Sequence, residues 1–163
     1  MPYDVVQTTL ADLKEHNFSR IVLSPKQWAS YTSKIPLSWS VTRFDETEKE
    51  QVPDDKQGVY TFIVKPGIAD HPECAYLLYV GKTEKQGLRK RFTQYFDEEN
   101  NPKGREPVKI MLRLWKGYLW FCYAPVDDIQ QIDHIEKSLI DAFVPPINQE
   151  YRGVLGKAMR AWQ

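Results

Sequence analysis

The fold is decided by one stretch, GVYTFIVKPGIADHPECAYLLYVGKTEKQGLRKR, residues 58–91. It contains two runs rich in β-branched and aromatic residues, 58–64 and 75–80, and such runs are typical of β-strands. The segment between them holds two prolines and a glycine, which interrupt regular structure. Two strands joined in this way most simply form an antiparallel hairpin.

Two tyrosines define the expected pairing of this hairpin. If Tyr60 lies opposite Tyr79, residues 66–73 form the loop. Directly opposed residues project from the same face of a strand pair. The register therefore predicts that both tyrosines share one face of the sheet, with Phe62 and Leu77 beside them.

A helix is predicted directly after the hairpin, over residues 88–99, because its apolar residues recur at helical spacing. The apolar stripe consists of Leu88, Phe92, Tyr95 and Phe96. Arg91 falls within this stripe, and a guanidinium on an inward face needs an anion or a set of acceptors. Arg89 and Lys90 lie off the stripe, where they would meet solvent or phosphate groups.

The chain then shows a helical pattern over 107–115, a strand pattern over 118–124 and a second helical pattern that Asp127 or Asp128 can cap. The last pattern has an apolar stripe made of Ile129, Ile132, Ile135, Leu139, Ile140 and Phe143. Glu136 lies within that stripe. A carboxylate there is costly unless it is paired, hydrogen-bonded or bound to a metal.

Two inward-facing charges are thus predicted on two helices. Pro145-Pro146 ends the second helix, and Asn148 follows in the turn. In a sheet covered by helices, Arg91 and Glu136 could converge on the tyrosine face. The spacing alone also allows Arg91 and Glu136 to pair with each other.

The N-terminal third carries weaker patterns. They are a helix near residues 10–14, a strand over 20–23, a helix opening at Ser24-Pro25, a strand over 37–44 and a polar linker over 45–56. The expected division is an N-terminal extension over 1–57, a main domain over 58–151 and a tail over 152–163 with a short helix at 154–162.

Composition describes a globular chain of 163 residues with 42% hydrophobic residues. No stretch approaches the ~18 apolar residues of a membrane span, so we predict no membrane partner. The first ten residues lack the basic start and apolar core of a secretory signal. Cys74 and Cys122 are expected to be reduced thiols of a cytoplasmic protein.

Charge is balanced overall but unevenly distributed. The formal net charge is zero, yet residues 82–116 contain ten Lys and Arg against five Asp and Glu, so this segment is +5 and the remainder is −5. A basic surface of this kind can bind a phosphate backbone. An ordinary solvated helix surface has the same composition, so the charge alone leaves both interpretations open.

Several of these residues together carry a family resemblance. Gly58-Val59-Tyr60 and Tyr79-Val80-Gly81, followed by Lys82 and the basic helix with Arg91, resemble the GIY-YIG nuclease motif. Glu136 and Asn148 match a later glutamate and asparagine of that family. Valine stands where the family name has isoleucine, and two extra residues near Gln86-Gly87 lengthen the loop before the helix. The resemblance covers about residues 58–151.

The resemblance implies a role for each matching residue. Either strand tyrosine could be the general base that activates water; we assign this role to Tyr60 and a positioning role to Tyr79. Lys82 would be the nearby cation, and Glu136 would hold Mg²⁺ or Mn²⁺. Arg91 would bind the scissile phosphate. The remaining predicted substrate-binding residues are Arg89, Lys90, Tyr95 and Asn148.

The sequence therefore predicts an α/β (α+β) fold, with a small central antiparallel three-stranded sheet flanked by helices and an N-terminal extension. The predicted function is that of a metal-dependent DNA endonuclease. The alternative is a catalytically inert module that keeps the fold and binds nucleic acid or a protein. A protein partner or a homodimer is left open, as is the choice between double- and single-stranded DNA.

Overall fold

The computed structural model describes residues 22–23, 25–31, 36–68 and 74–148. The predicted helices at 10–14 and 154–162, and half of the predicted strand at 20–23, lie outside these residues. The described strands are β1 (Ser40–Arg43), β2 (Gly58–Val64), β3 (Tyr76–Thr83) and β4 (Leu119–Pro125). The described helices are α1 (Pro25–Ser30), the 3-10 helix (Glu46–Gln51), α2 (Leu88–Glu98), α3 (Glu106–Leu114) and α4 (Ile129–Phe143).

The chain has the predicted mixed α+β fold, but over the described residues the sheet has four strands instead of three. All pairs are antiparallel, and the order across the sheet is β1-β4-β2-β3. The additional strand, β1, comes from the predicted extension and pairs with β4, from Ser40 opposite Tyr123 to Arg43 opposite Trp120. The predicted number of strands was wrong because β1 is short and its partner strand lies far along the chain. No local pattern therefore assigns β1 to this sheet.

The hairpin has the predicted strands in a different register. Tyr60 lies opposite Gly81, and Tyr79 lies opposite Phe62. The register shifts between Phe62 and Ile63, where Ile63 pairs with Leu77 and one residue of β3 is left over. A bulge of this kind breaks the alternation of side chains. Leu77 consequently packs on the other side of the sheet from Tyr79, contrary to the prediction, whereas the two tyrosines do share a face.

Two cores lie on the two faces of the sheet. The tyrosine face, which carries Tyr60, Phe62, Tyr79 and Phe121, is covered by α2 and α3. The opposite face is covered by α4, through Ile132, Ile135, Leu139 and Ile140. Helices α2 and α4 therefore lie on different sides of the sheet, and their inward residues cannot both project onto the tyrosine face.

The predicted linker over 45–56 fixes the start of α2. It contains the 3-10 helix, and its Val52 is buried in the core of the tyrosine face. Helix α2 lacks a side-chain cap, so its first N–H groups donate to this linker: that of Leu88 to the carbonyl of Lys56 at 2.8 Å and that of Arg89 to the carbonyl of Pro53 at 3.0 Å. The orientation of α2, and with it that of Arg91, thus depends on the N-terminal segment.

Helix α4 begins as predicted, with Asp128 accepting from the N–H of Gln130. It ends at Val144, which adopts a left-handed conformation (φ 48°). Both cysteines are free thiols, and Cys122 is buried. Over the described residues, the helices are too short or too polar to cross a membrane.

Candidate active site

Tyr60 is buried at the centre of a hydroxyl cluster on the tyrosine face. Only 1% of its surface is exposed, and its oxygen lies 2.9 Å from the hydroxyl of Tyr95 and 2.9 Å from Nε of Arg91. Gly81 makes this position available, because a Cβ there would lie 2.6 Å from Cζ of Tyr60. The glycine that ends the second motif therefore accommodates the tyrosine that ends the first.

Each of the three guanidinium nitrogens of Arg91 donates one hydrogen bond to an uncharged group. Besides Tyr60, Arg91 donates through Nη2 to the hydroxyl of Tyr95 at 3.2 Å and through Nη1 to Oε1 of Gln94 at 3.2 Å. The alternative pairing with Glu136 is not formed, since the two residues belong to helices on different faces of the sheet. A half-buried cation held by neutral oxygens retains its affinity for an anion.

Tyr79 has an arginine partner that the sequence interpretation overlooked. Nη1 of Arg105 donates to the Tyr79 hydroxyl at 2.9 Å, and the guanidinium carbon lies 5.3 Å from the centre of the ring. Arg105 is the N-cap residue of α3. In the sequence Arg105 is one of ten basic residues in the segment 82–116, and no local pattern connects the start of α3 to β3.

Lys82 and Glu136 meet at the outer edge of β3, on the side that α4 covers. Nζ of Lys82 lies 3.6 Å from Oε2 of Glu136 and 3.0 Å from Oε1 of Glu84, and it also contacts Asp133. Lys82 alternates with Tyr79 and Gly81 along the strand, so its side chain leaves the tyrosine face. The expected cation beside Tyr60 is accordingly Arg91, and Lys82 instead neutralises carboxylates.

A cleft of about 330 Å³ at the edge of β3 brings part of the predicted site together. Its lining includes Tyr79, Lys82, Arg105, Glu136 and Asn148. Because β3 is an edge strand, residues from both sides of the sheet reach this space. Tyr60 is buried, and neither Tyr60 nor Arg91 lines the cleft.

Asn148 supports the cleft through the backbone of β3. Its Oδ1 accepts from the N–H of Val80 at 2.9 Å, and its Nδ2 donates to the carbonyl of Val80 at 2.8 Å. These bonds satisfy the outward-facing peptide groups of an edge strand. Asn148 is buried, and both of its side-chain hydrogen bonds go to Val80, the neighbour of Tyr79 in β3. Its role is therefore to hold β3 in place.

The other predicted substrate-binding residues differ in their surroundings. Arg89 holds the 3-10 helix, with an ion pair to Glu50 at 2.8 Å and a bond to the carbonyl of Val52 at 2.8 Å. Tyr95 is 1% exposed and belongs to the hydroxyl cluster. Lys90 is exposed and available to a ligand.

Burial governs the acidity of the tyrosines. It raises the pKa of Tyr60 to about 12, with a further increase from Tyr79 and an opposing effect of Arg91. Burial, with a further effect of Tyr95, likewise raises the pKa of Tyr79, while the bond from Arg105 works in the opposite direction. Both phenols are therefore protonated at neutral pH, and each has one arginine that stabilises its anion.

Glu136 has the chemistry of a single-carboxylate metal ligand. Burial raises its pKa, and the nearby Lys82 only partly offsets this effect, so its negative charge is incompletely compensated. Carboxylate oxygens suit Mg²⁺, which commonly keeps water and phosphate oxygens in its other positions. Among the described residues, no group of three or more His, Cys, Asp and Glu side chains could enclose an ion. The donor set fits a metal that shares its coordination with water and substrate.

Comparison of the chain with protein-family models, with curated proteins and with solved structures finds no match. The resemblance to GIY-YIG nucleases consequently rests on the motif residues themselves.

Proposed function

We propose that the protein is a metal-dependent DNA endonuclease of the GIY-YIG type. The observation that carries this proposal is the cleft beside β3, in which a tyrosine, a glutamate and the cations Lys82, Arg105 and Lys137 line one space of about 330 Å³. Hydrolysis of a phosphodiester requires an activated water, relief of the charge that develops on the phosphate and stabilisation of the leaving oxygen. These side chains can supply all three.

Glu136 would hold the metal. A bound Mg²⁺ or Mn²⁺ ion supplies charge relief to the phosphate and the leaving oxygen. Lys82 keeps the carboxylate of Glu136 at the edge of β3. Arg91, whose side chain is outside the cleft lining, would bind an oxygen of the phosphate through its planar fork.

The surroundings of the tyrosines favour Tyr79 as the general base, in place of the sequence-based assignment to Tyr60. A base must reach the water whose proton it accepts. Tyr79 lines the cleft with Glu136, whereas the Tyr60 oxygen is enclosed and already bonded to Arg91 and Tyr95. Tyr60 would then position Arg91, and the bond from Arg105 would favour the phenolate of Tyr79.

DNA is the proposed substrate and a reducing, cytoplasmic environment the proposed location. The exposed basic residues of 82–116 support the first, and the two free thiols are in keeping with the second. Sequence preference would come from residues 1–57 or from a partner protein.

A nicking assay on supercoiled plasmid and on single-stranded oligonucleotides tests the proposal. We expect cleavage that needs Mg²⁺ or Mn²⁺, and a rate that rises with pH because Tyr79 must lose its proton. Tyr79→Phe should lower the rate by about 10²- to 10⁴-fold, the usual contribution of a general base. Tyr60→Phe should cost less, because it removes only a group that positions Arg91.

Both variants must remain folded and bind DNA for this comparison to count. If Tyr60→Phe is the less active variant, the roles of the two tyrosines are reversed. If the wild-type protein binds DNA but never cleaves it with either metal, the inert nucleic-acid-binding module is the correct alternative.

A further inference from the structure

Arg105 is placed unlike an ordinary surface arginine. It lies at the end of the loop between α2 and α3, and the residue as a whole is exposed. Its guanidinium nevertheless donates to the hydroxyl of Tyr79 at 2.9 Å, and Arg105 lines the cleft. A long side chain loses conformational freedom when it is held in this way. Its position is therefore defined by the tyrosine.

Several other cations of the basic segment have carboxylate partners. Arg89 pairs with Glu50 at 2.8 Å, Lys109 pairs with Glu106 at 2.7 Å, and Lys82 contacts acidic residues. Within the part of the chain that the structure describes, the guanidinium of Arg105 has no carboxylate in ion-pair distance; only its backbone N–H reaches Glu98, at 3.3 Å.

The unused donors of Arg105 match a phosphate. A guanidinium has five N–H donors in a planar fork, and the bond to Tyr79 needs one of them. A cation with spare donors, in a cleft that it shares with Glu136, suits an anion with several acceptor oxygens. Arg105 belongs to neither of the two strand triplets nor to the basic helix after them.

We propose that Arg105 contacts a phosphate group of the nucleic-acid strand in this cleft, with Tyr79 holding the guanidinium in position. This inference rests on the proposed function, because it assumes that the cleft receives a phosphodiester. It makes Arg105 a second phosphate-binding residue in addition to Arg91, and each of the two arginines is held by a different strand tyrosine, Tyr79 or Tyr60.

The test measures binding of the full-length protein to a short DNA duplex and to a single strand, in EDTA and over a range of salt concentrations. Arg105→Gln should weaken binding to all sequences alike and lower the slope of log K against log salt by about 1, the value expected when one phosphate is no longer neutralised. Arg105→Lys should keep the slope but lower the cleavage rate, because an ammonium cannot reproduce the fork.

Arg43→Gln is the matched control, since Arg43 is an exposed arginine on β1, at the opposite edge of the sheet. It should leave the slope unchanged. Thermal denaturation of each variant checks the fold, and Arg105→Met, which also removes the charge, replaces Arg105→Gln in the slope measurement if the glutamine variant unfolds.

The outcomes separate this inference from the proposed function. A reduced slope in Arg105→Gln without any wild-type cleavage would support the phosphate contact and contradict the nuclease. Wild-type cleavage with an unchanged slope, or an equal reduction in Arg43→Gln, would overturn the phosphate contact and leave the nuclease standing. A wild-type protein that neither binds nor cleaves would overturn both.

Discussion

At the scale of single residues, the site consists of charges that the fold only partly compensates. Burial raises the pKa of Glu136, and Lys82, its neighbour at 3.6 Å, is shared with Glu84 and Asp133. A carboxylate whose pKa is raised in the folded state destabilises the protein once it ionises. Such a residue is better explained by binding a cation than by holding the fold together.

Glu136→Gln should therefore raise the melting temperature at pH 7. The raised pKa means that stability falls as the pH rises from the unfolded value of about 4.3 through the folded value. Glutamine cannot ionise, so the difference in melting temperature between the variant and the wild type should shrink as the pH approaches 4. Thermal denaturation over this pH range measures the difference. If Glu136 holds Mg²⁺ as proposed, added Mg²⁺ should stabilise the wild type and not the variant.

Asp133→Asn is a control that should change the stability at pH 7 in the opposite direction. Hydrogen bonds from Lys137 and Lys82 lower the pKa of Asp133 to about 2, so its contribution to stability is present at neutral pH and is lost as the pH falls towards 2. Its side chain is 40% exposed, so the effect should be small. A marked loss of stability in Glu136→Gln at pH 7, with cleavage retained, would contradict the metal role.

At the scale of elements, the site depends on which groups bond the free edge of strand β3. One side of β3 pairs with β2, and the other side faces the turn that follows α4. In this turn the N–H of Ile147 donates to the carbonyl of Leu78 at 3.0 Å, and the side chain of Asn148 bonds both peptide groups of Val80. The turn thus holds the two residues that flank Tyr79.

Asn148→Ala should lower the free energy of unfolding by about 1–3 kcal/mol, because it leaves a buried N–H and a buried carbonyl without partners. Cleavage should fall as well, since Tyr79 would lose its fixed position. Chemical denaturation and the nicking assay measure the two effects.

Asn100→Ala, in the exposed loop after α2, should change neither quantity. An Asn148→Ala protein with wild-type stability would show that the turn does not hold β3.

At the scale of the whole molecule, a neutral chain separates its charge into a basic segment of +5 and a remainder of −5. Not all of the basic residues are equally available to a partner. Lys109 is paired with Glu106 and its side chain is only 15% exposed, whereas Lys90 and Lys103 are exposed. Binding of a phosphate backbone should depend on the exposed residues.

Lys90→Glu combined with Lys103→Glu should weaken DNA binding and flatten its salt dependence, by a slope of about 0.9 for each phosphate that is no longer neutralised. Salt titrations of DNA binding provide the measurement. The matched control reverses Lys26 and Lys49, two exposed lysines in the N-terminal third. Equal effects in the two double variants would mean that binding is not centred on residues 82–116.

Elements whose signals are local can be predicted from the amino-acid sequence. Strand β2, the start of α2 and the Asp128 cap of α4 follow from side-chain alternation, helical spacing and capping, all of which act over a few residues. The same signals placed Arg91 and Glu136 on inward faces. The assumed pairing of Tyr60 with Tyr79 also predicted that the two tyrosines share a face; the shared face is confirmed, whereas the register was wrong.

Which of these residues come into contact depends on how the chain packs. The pairing of β1 with β4, the bulge in the hairpin and the covering of opposite faces by α2 and α4 depend on contacts between distant parts of the chain. The hydrogen bond between Arg105 and Tyr79 and the ion pair between Lys82 and Glu136 follow from these long-range contacts. Sequence spacing cannot predict such contacts, because long-range packing chooses among several arrangements that are locally equivalent.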